Sequence, residues 1–252
     1  MIIEYESVLY RIRENPIEHL GRYSVSEIQS YFIGYEDARQ FWQQSELCRK
    51  ISREQFRKWF DSKVHLCRQN MESLCLLLTN GEREAFDLYF ELYDGALEEC
   101  KDKLTICNQE QRPINPDEIE KSSTLISFLL EAPLRERPAM YFGSHSWIGS
   151  LWAMCNGFLW AEKDMGIENS SDAVSMELFQ LWLDDRYPIA KGTNWSKLFD
   201  FLALHSNSGA LKEFYEHFEM FLEGDAPDAL SKINREILAN VQKQIEREKG
   251  NE

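Results

Sequence analysis

The feature that most constrains this chain is that its sequence is written twice. "IRENPIEHLGRYSV" at 12–25 is echoed by "LRERPAMYFGSHSW" at 134–147, with Pro16 over Pro138, Gly21 over Gly143 and Ser24 over Ser146. One residue further apart, Gly34 and Ala38 answer to Gly157 and Ala161, and "EQFRKWFD" at 54–61 returns as "ELFQLWLD" at 177–184. "NMESLCLLL" at 70–78 then matches "NWSKLFDFL" at 194–202, and "AFDLYFELYDGALE" at 85–98 matches "ALKEFYEHFEMFLE" at 210–223. Five blocks in one order, with indels only between them, are the mark of a tandem duplication whose unit is the size of a domain. The expected boundaries are a helical unit over 1–105, a linker over 106–122, a second helical unit over 123–225 and a C-terminal helix over 226–252.

The repeated positions read as architecture. A proline disfavours helix in the residue before it, so Pro16 and Pro138 end one helix. Gly21 and Gly143 suit the turn that follows, and Ser24 with Glu27 reads as a capping box, with Ser146 as the matching cap. Gly34 and Gly157 fall inside helices, where glycine costs about 1 kcal/mol against alanine, so close packing against a neighbouring helix is the expected return. Asn70 and Asn194 fit N-caps of short helices ending near Gly81 and Ser208. Phe86, Tyr89, Phe90, Tyr93 and Leu97 recur at helical spacing, as do Leu211, Phe214, Tyr215, Phe218 and Leu222, each an apolar stripe for a core.

Apolar residues at three- and four-residue spacing, with few alternating runs, predict an all-α fold: a tandem duplication of a helical domain packed as a pseudo-dimer, plus the C-terminal helix. The 252 residues carry 43 acidic and 28 basic side chains, a formal net charge of −15. That balance disfavours nucleic acid and anionic membrane as partners and favours basic ones. The acidic N-terminus lacks the charge pattern of a signal peptide, and no apolar run spans a bilayer, so a cytoplasmic protein is expected. The six cysteines (Cys48, Cys67, Cys75, Cys100, Cys107 and Cys155) form no C-x-x-C pair and are read as reduced.

Motifs for chemistry are absent. His19, His65, His145, His205 and His217 form no metal-binding spacing, no phosphate-cradling glycine motif occurs, and "GSHSW" lacks the frame of a nucleophile elbow. No cofactor, metal or catalytic residue is assigned, and the chain is not expected to be an enzyme. "RERPAMYFG" is similar to a segment of the ATPase domain of gyrase-type topoisomerases, but over about nine residues only and without that family's catalytic glutamate or lid.

The chain more closely resembles small bacterial immunity proteins of polymorphic toxin and contact-dependent inhibition systems. The likeness rests on Arg137, Pro138, Met140, Tyr141, Gly143, Gly157, Phe158 and Ala161, and on Pro16, Gly21, Gly34, Tyr35 and Ala38 in the first unit. The first unit departs from the pattern with Asn15, Glu18 and His19. The resemblance implies an inhibitor that binds a cognate toxin protein, expected to be basic, and covers its active site. Partner contacts are expected where the two copies differ or are exposed: Asp184, Asp185 and Arg186, and Tyr141, His145 and Trp147. Two other readings stay open, a helical adaptor binding in the groove between its units and a helical enzyme with a site there.

Overall fold

The computed structural model describes residues 4–42, 44, 49–51, 53–64, 71–101, 124–130, 132–142, 147–167 and 170–224. The linker expected over 106–122, the C-terminal helix expected over 226–252, and Asn70, Gly143, His145 and Ser146 lie outside the described residues. Among the described residues the fold is all-α, with no strand. In the first half run α1 (Tyr5–Glu14), α2 (Pro16–Leu20), α3 (Val25–Phe41), α4 (Arg53–Val64), α5 (Met71–Leu78) and α6 (Glu82–Glu99). The second half supplies α7 (Thr124–Leu130), α8 (Ala132–Glu136), α9 (Pro138–Phe142), α10 (Trp147–Asp164), α11 (Ser171–Arg186), α12 (Trp195–Leu202) and α13 (Asn207–Glu223). Among the described residues no helix is long and apolar enough to cross a membrane.

Local chemistry accounts for several helix starts. Pro16 and Pro138 do more than stop a helix: each is the first residue of a new one, where its missing N–H would have had no partner anyway. Asn194 caps α12 by accepting from the Lys197 N–H at 3.0 Å, and Ser170 and Ser206 cap α11 and α13 in the same way. Because Ser206 opens α13, α12 ends at Leu202 rather than near Ser208, and α5 ends at Leu78 rather than near Gly81.

The capping box expected at Ser24–Glu27 does not form. Glu82, from the start of α6, takes its place: its carboxylate accepts from the Val25 N–H at 2.9 Å and from the Ser26 hydroxyl at 2.8 Å. Glu27 is almost fully buried beside Gly149 of α10 and bonds instead to Arg22. A buried carboxylate left with a single backbone N–H would be poorly compensated, and the guanidinium supplies the missing charge.

The apolar stripes of α6 and α13 are buried as their spacing requires, Leu97 only in part. They do not make two separate cores: buried apolar residues from Tyr5 to Leu222 form one contiguous cluster. In the second half Phe179 is its hub, with Trp182, Phe199, Phe214, Phe218 and Phe221 all packed around its ring. Of the cysteines, Cys75 and Cys155 are buried and Cys100 half-buried, all as free thiols, while Cys48, Cys67 and Cys107 lie outside the described residues.

The halves meet where α3 crosses α10, and two glycines permit it. A Cβ on Gly34 would stand 1.9 Å from the Met154 carbonyl oxygen, and one on Gly157 would stand 2.0 Å from that of Tyr31. Each glycine therefore faces the residue three positions before the other, backbone against backbone. Polar contacts surround this crossing. Arg11 grips Asp164 with both terminal nitrogens, and the Tyr35 hydroxyl donates to the same carboxylate. The Asn156 amide donates to the carbonyls of Glu18 and His19 at 2.6 and 2.9 Å, satisfying the end of α2. His19 is buried there, its ring bonded to the Tyr31 hydroxyl and packed on Trp160.

Glu162, on α10, is buried as well, accepting from Trp42 of the first half and from Ser170. Burial pushes its carboxyl, like that of Glu27, up to about 7.

Gly157→Ala should destabilise by about 2–4 kcal/mol, since the helices must separate, whereas Gly95→Ala in α6 should be neutral or stabilising, because its Cβ would meet Trp59 at an ordinary 3.5 Å. Urea denaturation of the pair separates a packing cost from a general effect of replacing glycine. For Glu162 the sign is fixed by a folded pKa of about 7 above the ordinary value of 4.5: the folded state holds the proton more tightly, so the stability this provides is present below about pH 4.5 and lost as pH rises through 7. Relative to wild type, Glu162→Gln should therefore gain stability from about pH 5 to pH 8, by on the order of 3 kcal/mol, in the same denaturation assay.

Candidate partner-binding site

The residues expected to meet a partner fall in two places. Asp184, Asp185 and Arg186 end α11, and Tyr141 and Trp147 flank the α9–α10 junction, while His145 lies outside the described residues.

At the end of α11 the chain makes a braced turn. Gln180 and Asp184, one helical turn apart, share a face, and the Gln180 amide donates to Asp184 at 2.8 Å and to the Thr193 carbonyl at 3.0 Å. The other end of that amide accepts from the Trp195 N–H at 3.1 Å. Asp184 accepts from the Gly192 N–H at 3.3 Å, where a φ of +78° makes glycine the natural residue. Asp184 is thus committed to holding residues 192–195 against α11.

On the other side of the turn, the Tyr187 hydroxyl lies 2.6 Å from His217 Nε2. His217 Nδ1 donates to the Glu213 carbonyl, which can only accept, so Nε2 accepts from the tyrosine. Between these anchors lies a short 3-10 turn, Pro188–Ala190. At its centre Ile189 is fully exposed, at 101% of its reference area. Leu181, four residues before Asp185 and on the same face of α11, is 52% exposed. Behind the turn an open hollow of about 410 Å³ is lined by Trp152, Leu159, Met176 and Trp195.

The remaining candidates are placed differently. Asp185 is exposed, and Arg186 lays its guanidinium over the buried Trp182 ring at 5.1 Å. Trp147 is half-buried in a crevice of about 360 Å³ shared with Arg135, Pro138, Leu211 and Tyr215. Tyr141 sits edge-on to Phe128, and its neighbour Met140 is 75% exposed. Ile189, Leu181 and Gln180 were not singled out from the sequence. The available signal was an isoleucine after proline in the polar stretch "DDRYPIAKGTN".

A rigid turn carrying an apolar side chain can anchor an interface cheaply, because little conformational freedom is lost on docking. Among the described residues no cluster of three or more His, Cys, Asp or Glu could hold a metal ion. No protein-family model matches the chain, and neither does any curated protein or solved structure.

If Asp184 acts through the turn, Asp184→Ala should free residues 188–193. Amide hydrogen exchange there should rise at least about tenfold, with a global stability loss of only about 1 kcal/mol.

Proposed function

We propose that the protein is an immunity protein: it binds a cognate toxin domain, covers it stoichiometrically and neutralises it, with no catalytic step of its own. The observation that carries this reading is Ile189, fully exposed on a turn that Asp184, Gln180 and His217 hold from both sides. A net charge of −15 favours a basic partner and speeds its approach. The resemblance of "RPAMYFG" and its flanks to immunity proteins supports the same class.

The body that presents the turn is, in this reading, a fused pair of like units. Helix bounds support it: α2 and α9 start and end 122 residues apart (138 − 16 and 142 − 20), and α5 and α12 do so 124 apart (195 − 71 and 202 − 78). The reciprocal approach of Gly34 to Met154 and of Gly157 to Tyr31 is what an isologous contact between two copies would produce. The Ile189 turn belongs to the second unit, so in this reading the toxin engages that unit.

Co-expression with the product of the neighbouring reading frame should restore growth that this product alone abolishes. Ile189→Asp should weaken the purified complex by about 100-fold in calorimetric titration, with an unchanged melting temperature. A neighbouring product that is neither toxic nor bound, or full affinity in Ile189→Asp, overturns the reading.

A further inference from the structure

A cavity of about 370 Å³ lies in the first half of the chain, in a different unit from the Ile189 turn. The matching sequence blocks show which ring it lacks. Phe56, Tyr89 and Tyr93 line the cavity, and their counterparts Phe179, Phe214 and Phe218 are fully buried rings packed 5.0–5.8 Å from one another. In the second half Trp195 completes that group, with its indole 4.8 Å from Phe214. The residue at the same place in the first half is Met71, which also lines the cavity. The rings of the first half are correspondingly looser. Tyr89 lies 6.5 Å from Tyr93, against 5.4 Å for Phe214 and Phe218, and Phe56 is only half-buried where Phe179 is fully buried. The first half thus keeps aromatic walls without the indole that sits among them in the second.

Size and polarity limit what can enter. Protein interiors seldom leave voids much larger than a water molecule. An apolar cavity of about 150 Å³ already accommodates benzene, so this one has room for two fused rings. The charged groups of its lining are engaged: the Arg49 guanidinium lies 3.6 Å from the centre of the Tyr5 ring and bonds to Glu36 at 2.9 Å, and Glu72 is partnered as well. A charged ligand would have to displace one of these contacts or stand unpaired against the rings, and either is costly. Gln29, exposed at the rim, offers an uncharged amide to a ring N–H.

We propose that this cavity is a binding site for a neutral, flat, two-ring aromatic molecule of the size of indole, held among Phe56, Tyr89 and Tyr93 beside Met71, where the second half places the side chain of Trp195. The site is independent of toxin binding and of the Ile189 turn.

Calorimetric titration of the full chain with indole tests it, with tryptamine and indole-3-acetate as controls that add a positive and a negative charge to the same rings. One saturable site is expected for indole, with a Kd of about 0.1 mM, and each control should bind at least about tenfold more weakly. Met71→Trp should abolish indole binding at an equal or higher melting temperature. Should Met71→Trp unfold the protein, Ile33→Trp closes the cavity from α3 and should abolish binding in its stead. No saturable indole binding by the wild type, a charged control that binds as tightly as indole, or undiminished binding in a folded tryptophan variant overturns the proposal.

Discussion

The two described halves are joined at one close contact, the crossing of α3 and α10 at Gly34 and Gly157. Glycine within a helix is unfavourable by about 1 kcal/mol, and two of them are tolerated because each lets a carbonyl of the other helix come where a side chain would stand. Once the backbones touch, the surrounding groups are forced into a narrow seam: Asp164 between Arg11 and Tyr35, Asn156 against the end of α2, Glu162 under Trp42. Each of these contacts crosses from one half to the other, so the seam joins the halves by specific polar contacts as well as by packing.

The contact also explains why a single apolar core forms. With the helices this close, rings from both halves share one interior, and each half lends the other the cover that a unit of about 100 residues would lack. The surface turn at 187–194 gains its rigidity from the same body, since His217 and Trp195, which help to hold it, are themselves packed in the aromatic cluster of the second half.

Much of the fold was legible in the sequence, because helical periodicity, prolines at helix starts and an asparagine cap are local signals. The apolar stripes of α6 and α13, the Asn194 cap and the close approach at Gly34 and Gly157 all follow from residue types at fixed spacing. The Ser24 capping box was misread because Glu82, 58 residues further along, engages the Ser24 hydroxyl and the first N–H of the helix instead, while Glu27 turns to Arg22. Local patterns cannot register a partner that arrives from another helix. The site was legible only in outline. Asp184 was singled out as a partner-facing charge, while the structure shows it bonded to Gln180 and to the Gly192 N–H, and Ile189 went unnoticed because exposure is a property of the folded turn.

Differential scanning calorimetry on the intact chain tests the central role of the crossing most directly. If α3 and α10 make one cooperative body, a single transition should appear with equal calorimetric and van't Hoff enthalpies. Two resolved transitions, or a calorimetric enthalpy about twice the van't Hoff value, would mean that the halves unfold independently, and the crossing would then not be the contact on which the structure depends.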